Sequence, residues 1–127
     1  MKSVKPVKAA SEIDSFKYAI SGIINAYRRE RHMRFHFFAA LVVLVLAFLL
    51  RLSALEWVAI IFVTAMVLTF EMLNTAFEAL VNKVSPEINP LAKYVKDVAA
   101  GAVLIMSIAA AATGCIIFLP KIIALLR

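Results

Sequence analysis

Three stretches of the chain stay apolar long enough to cross a bilayer, and the polar residues gather between them. Residues 35–50 lie between Arg34 and Arg51, and their only ionisable side chain is His36, at one edge. At 1.5 Å rise per residue this run reaches about 24 Å, enough for a span if the flanking arginines snorkel to the interfaces. Residues 53–70 form a second run, opened by Glu56 and by Trp57, whose amphipathic ring suits an interfacial belt. Residues 98–119 are uncharged throughout and end at Pro120 and Lys121, which predicts a third span whose exit the proline marks.

Ahead of the first span the periodicity changes. Phe16, Ala19, Ile20, Ile23 and Tyr27 fall on one helical face, with Lys17, Ser21, Asn25 and Arg28 opposite. This predicts an amphipathic surface helix over about 15–32, its start between Ser11 and Ser15, behind a mobile segment 1–14. Ser85-Pro86 and Asn89-Pro90 each read as a cap followed by proline at a first helical position, so the last helix is expected to begin near Pro90. The expected architecture is an all-α integral membrane protein, a surface helix plus three transmembrane helices. It forms one domain over 15–120, its second span extended to about residue 83 and its tail at 121–127.

Composition agrees. Of 127 residues, 64% are apolar and 17% charged, too few polar side chains to cover a water-soluble core at this size. The net charge of +6 matters through its placement and not as a nucleic-acid footprint; no nucleic acid partner is expected. Eight Lys and Arg precede the first span and three lie in the second connection, against Arg51, Lys121 and Arg127 elsewhere. Eleven against three predicts a cytoplasmic N-terminus. With so many charges and no continuous apolar run, residues 1–34 do not read as a cleavable signal. Three dispersed glycines exclude a glycine-rich phosphate loop, so phosphate chemistry would need side chains and metal. The single Cys115, inside an apolar run, reads as a packed residue.

The segment EMLNTAFEALVNK, residues 71–83, carries the candidate chemistry. On a helix, Glu71, Asn74, Thr75, Glu78 and Asn82 form one narrow polar stripe with Leu73, Ala76, Phe77 and Leu80 opposite. It reads either as the wet face of a helix leaving the membrane, or as carboxylates a helical repeat apart, suited to metal binding and proton abstraction. Glu30 falls on the apolar side of the surface helix and either faces the bundle or, if the helix bends near Arg28, pairs with Arg34. Lys96-Asp97 is an interfacial anchor or a functional pair, at the depth of Glu71 if the spans are in register. His32 and His36 have a metal-pair spacing, outweighed by the arginines around them.

Glu71-Met72-Leu73-Asn74-Thr75-Ala76-Phe77-Glu78, then Ser85-Pro86-Glu87 and the segment Lys96-Asp97-Val98-Ala99-Ala100-Gly101-Ala102-Val103, resemble the bacterial diacylglycerol kinase and undecaprenol kinase family. The resemblance runs from about Phe16 to Leu119. It implies a homotrimer in the bacterial inner membrane, with active sites shared between subunits, phosphorylating a lipid alcohol from MgATP. By it, Glu71 matches the catalytic base acting on the lipid hydroxyl, with Asn74 beside it. Glu30 and Glu78 match carboxylates holding Mg2+ on the nucleotide; Lys96, Asp97, Tyr18, Glu87 and Asn89 match nucleotide contacts. Three departures stand out: Asn82 for a usual aspartate, Ser11 near an expected arginine, and Ala100, on the lipid side, for a serine of the proteobacterial diacylglycerol branch. The last favours undecaprenol over diacylglycerol. A small membrane transporter would instead want a fourth span and a midplane acid, and a non-catalytic assembly subunit would tolerate glutamine at Glu71 and Glu78.

Overall fold

A computed structural model describes residues 11–87 and 89–127; most of the segment expected to be mobile, 1–10, lies outside the described residues. Four helices follow one another: α1 (Glu12–Arg29), α2 (Arg31–Leu49), α3 (Ala54–Val84) and α4 (Pro90–Leu125). Among the described residues there is no strand, and α2, α3 and α4 are each long and apolar enough to cross a membrane.

α1 starts at Glu12, within the expected interval from Ser11 to Ser15, because Ser11 caps it: its Oγ accepts from the Asp14 backbone N–H at 3.2 Å. Glu12 and Asp14 add negative charge to the positive end of the helix dipole. The helix breaks at Glu30, whose backbone is extended (φ −103°, ψ 123°), so α1 ends at Arg29 and not near 32. Arg34 seals the break: its Nη1 donates to the Arg28 carbonyl at 3.0 Å, satisfying an end-of-helix acceptor. Arg34 is therefore occupied with the backbone and forms no ion pair with Glu30. The apolar face of α1 stays open, with Phe16 73% and Ile20 55% exposed, as a helix lying at an interface requires.

The α2–α3 turn closes without glycine. Leu52 N–H bonds the Ala47 carbonyl and Arg51 N–H the Phe48 carbonyl, each at 3.2 Å, with Arg51 left-handed at φ 50°. Leu52 joins Ala47, Ile60 and Phe118 in the buried cluster at this end, with Trp57 packed against it. α3 opens with a reciprocal cap: Ser53 N–H donates to Glu56 Oε2 at 2.7 Å and Glu56 N–H to Ser53 Oγ at 3.3 Å.

Of the two expected proline caps only one forms. Asn89 Oδ1 accepts from the Leu91 N–H at 2.8 Å, and Pro90 is the first residue of α4. Ser85 instead closes α3, because the proline after it excludes a helical conformation at residue 85. At the far end α4 does not stop at Pro120 but continues to Leu125. Lys121, one residue on, is fixed by Glu56 at 3.0 Å, a bond that holds the helix past the one hydrogen bond the proline removes.

α3 packs most extensively on α4 and less on α2, while α1 touches α2 and α3. Few side chains are buried within the chain, Met33, Ala47 and Ile60 most completely. Large apolar residues cover the outside of all three long helices, a surface that a bilayer or another subunit solvates and water does not.

Candidate active site

α3 is a single helix of 31 residues, so its polar stripe continues without a break from the apolar body of the bundle to the α3–α4 connection. At the inner end Glu71 is 5% exposed, the one charged residue buried among the described residues. One turn on, Asn74 Nδ2 donates to Glu78 Oε1 at 3.5 Å, and Asn74 Oδ1 is buried with no hydrogen-bond partner. An orphaned acceptor of this kind is held at a cost and calls for a donor or cation. Glu78 is half-buried and Thr75 lies on the same face. Asn82 ends the stripe, accepting from Lys96 Nζ of α4 at 2.8 Å.

That last bond corrects the expected register. Lys96 meets α3 at Asn82, eleven residues and about 16 Å along the helix axis from Glu71. At the level of Phe70 and Asn74, α4 presents Val98, Ala99 and Ala102. The connection between α3 and α4 is only residues 85–89, so the hairpin pairs residues counted outward from it, and Glu71 lies too far from the turn to face Lys96.

Around the turn, Asn82, Ser85, Glu87, Asn89, Lys93, Lys96 and Asp97 line a cleft of about 320 Å³. Asp97 is paired with Lys93, one helical turn earlier on α4. Lys96 is bonded to a neutral amide, so its charge is not cancelled there as an aspartate at 82 would cancel it. The structure thus gathers four of the expected nucleotide contacts, Glu87, Asn89, Lys96 and Asp97, in one polar cleft. It does not bring Tyr18 to them: that side chain is 68% exposed on α1. Glu30 sits half-buried at the α1–α2 break. Ala100 is exposed on α4.

Among the described residues no three His, Cys, Asp or Glu converge to cage a metal. The oxygen donors that do lie together, Glu78 and the unsatisfied Asn74 Oδ1, fit a Mg2+ that arrives on phosphates, since such an ion takes one or two protein carboxylates beside phosphate and water.

One residue of the site went unassigned from sequence. His36 of α2 places Nε2 3.9 Å from Glu71 Oε2, with side-chain exposures of 16% and 6%. The available signal was its position as the lone ionisable residue at the edge of an apolar span. His32, its supposed partner, is exposed.

Comparison with known proteins identifies the family. A family model described as prokaryotic diacylglycerol kinase matches residues 17–118. The chain is 42% identical over 108 residues to the undecaprenol kinase of Bacillus subtilis, covering 85% of this chain and 88% of that protein. It is 38% identical over 113 residues to a diacylglycerol kinase of Synechocystis, covering 88% and 65% respectively. To the diacylglycerol kinase of Escherichia coli K12 it is 34% identical over 100 residues, 79% of this chain and 82% of that one. With three membrane-spanning helices and a match over most of its length, the chain belongs to the prokaryotic diacylglycerol kinase family and is a multi-pass membrane lipid kinase.

Proposed function

We propose that this lipid kinase transfers the γ-phosphoryl group of MgATP to the hydroxyl of undecaprenol, giving undecaprenyl phosphate, at the cytoplasmic face of the bacterial inner membrane. The likeness to an undecaprenol kinase over 85% of the chain carries the substrate assignment. Ala100 supports it: a polyprenyl alcohol has no acyl ester for a serine to bond, and one such bond is worth only about 1 kcal/mol, so some turnover of diacylglycerol is expected. The excess of Lys and Arg before α2 and between α3 and α4 supports a cytoplasmic site.

The chemistry follows from the depths of the groups. Glu71, buried in the apolar part of the bundle, accepts the proton of the lipid hydroxyl. The lipid oxygen forms the new bond to the γ-phosphorus, the bond from that phosphorus to the β–γ bridging oxygen breaks, and ADP leaves with the electron pair. Asn74 orients the reacting groups beside Glu71, while Glu78 and Glu30 would hold Mg2+, which when bound neutralises charge on the phosphates. Lys96, bonded to the neutral amide of Asn82, supplies further positive charge, and Asp97, Glu87 and Asn89 contact the nucleotide in the cleft at the turn. The polar cleft admits a water-soluble nucleotide and the buried base meets an alcohol that never leaves the bilayer.

Large apolar surface left uncovered on α2, α3 and α4 leaves room for neighbouring copies and supports a homotrimer whose active sites draw on neighbouring subunits. The substrate assignment is tested by kcat/KM for undecaprenol and diacylglycerol in the same mixed micelles at saturating MgATP. A preference for undecaprenol is expected; a tenfold preference for diacylglycerol would overturn it and leave the kinase intact.

A further inference from the structure

A carboxylate acting as a base must present one lone pair in a fixed direction. The last torsion of a glutamate is broad and roughly two-fold, so packing alone does not fix it. Bases of this kind are held by a neighbouring hydrogen-bond donor, which leaves one oxygen free to react. Among the described residues the basic side chain within ion-pairing reach of Glu71 is His36.

The contact is tertiary. His36 is on α2 and Glu71 on α3, 35 positions apart, so no local helical spacing explains it. Both side chains are largely removed from solvent, where an imidazole or a carboxylate without a polar partner is costly. The Nε2–Oε2 separation of 3.9 Å exceeds a hydrogen bond, and a shift of about 1 Å closes it, as catalytic hydrogen bonds often tighten when substrate binds. His36 also borders a cleft of about 290 Å³ between α2, α3 and α4, lined by Val43, Thr64, Val67, Ser107 and alanines with no other charged side chain. Nothing charged in that lining competes with Glu71 for the imidazole.

We propose that His36 is the positioning residue of Glu71: its Nε2–H donates to Oε2 and turns the other carboxylate oxygen toward the lipid hydroxyl. His36 touches neither substrate. The proposal rests on the reading of Glu71 as the base, and the same experiment separates the two.

The test compares His36→Leu, His36→Gln and Glu71→Gln with wild type, purified in detergent, with kcat and KM measured for MgATP and for lipid. His36→Leu removes the donor and should lower kcat about 10- to 100-fold, the usual cost of losing a residue that orients a reacting group, with both KM values within about twofold of wild type. His36→Gln retains an N–H donor and should recover most of that loss. Should His36→Leu not fold, His36→Met, a flexible apolar side chain without an N–H, takes its place. Wild-type kcat in the apolar variant overturns the proposal. So does a change confined to KM or to thermal stability, or a glutamine variant no better than the apolar one. If Glu71→Gln itself turns over normally, the assignment of the base fails instead; an inactive Glu71→Gln with a fully active His36→Leu rejects the role of His36 alone.

Discussion

Replacing Glu71 with glutamine changes one atom of a side chain that is 5% exposed, so packing is nearly preserved and the charge and proton affinity are lost. Loss of a general base typically costs 10²- to 10⁴-fold in rate, about 2.7–5.4 kcal/mol of barrier at 1.36 kcal/mol per factor of ten. Stability should move the other way or not at all. Among the described residues the ion-pairing contact given up is the 3.9 Å approach of His36, whereas a buried carboxylate no longer has to be kept out of water. Glu71→Gln should therefore lose turnover at least 100-fold, keep the wild-type KM for MgATP because the cleft proposed for the nucleotide lies about 16 Å along α3, and unfold at the same or a higher temperature. The assay is radiolabelled phosphoryl transfer in mixed micelles, paired with thermal unfolding of the same sample. Wild-type turnover would refute the base, and lost turnover with a lowered unfolding temperature would refute the reasoning by showing that Glu71 holds the fold.

Lys96→Ala should raise the KM for MgATP about 10- to 100-fold by removing a charge-assisted contact, with a smaller effect on kcat at saturation; an unchanged KM would remove Lys96 from the nucleotide cleft. Arg51→Gly should stabilise the α2–α3 turn by about 1 kcal/mol, because glycine adopts φ 50° without steric cost, and leave activity unchanged; thermal unfolding in detergent reads it out. In a Cys115→Ser background, a cysteine at Leu126 should react with a membrane-impermeant reagent in intact cells and one at Ser3 should not; the reverse pattern would invert the orientation. Glu71→Gln and Glu30→Gln proteins, each inactive, should regain activity when mixed into the same oligomers if active sites are shared, and none if each site belongs to one chain.

The elements legible in the sequence were those whose signals are local. Asn89-Pro90 marks the start of α4 because the cap and the proline act within two residues, and residues 71–83 show their polar stripe because helical period alone aligns it. Two prolines misled for opposite reasons. Pro86 follows the end of α3 and forces Ser85 out of helical geometry, so its cap-like neighbour opens nothing. Pro120 sits where Glu56, 64 residues earlier, anchors the next side chain, and no window around the proline contains that partner. The site divides similarly. Glu71, Asn74 and Glu78 share one helix and announced themselves, whereas the pairing of Lys96 with Asn82 depends on the register of a hairpin. The approach of His36 to Glu71 depends on how α2 lies against α3, set by packing that a single sequence does not display.

The central claim is that the buried carboxylate of α3 and the polar cleft at the α3–α4 turn together move phosphate from a soluble nucleotide to a lipid hydroxyl. The most direct measurement supplies the purified protein with γ-labelled ATP, Mg2+ and micelles containing undecaprenol, diacylglycerol or no lipid alcohol, and follows label into organic-soluble phosphate and into inorganic phosphate. Label should enter organic-soluble phosphate only when a lipid alcohol is present, most rapidly with undecaprenol, and should be lost in Glu71→Gln. Label released only as inorganic phosphate, at the same rate with and without lipid, would contradict the account.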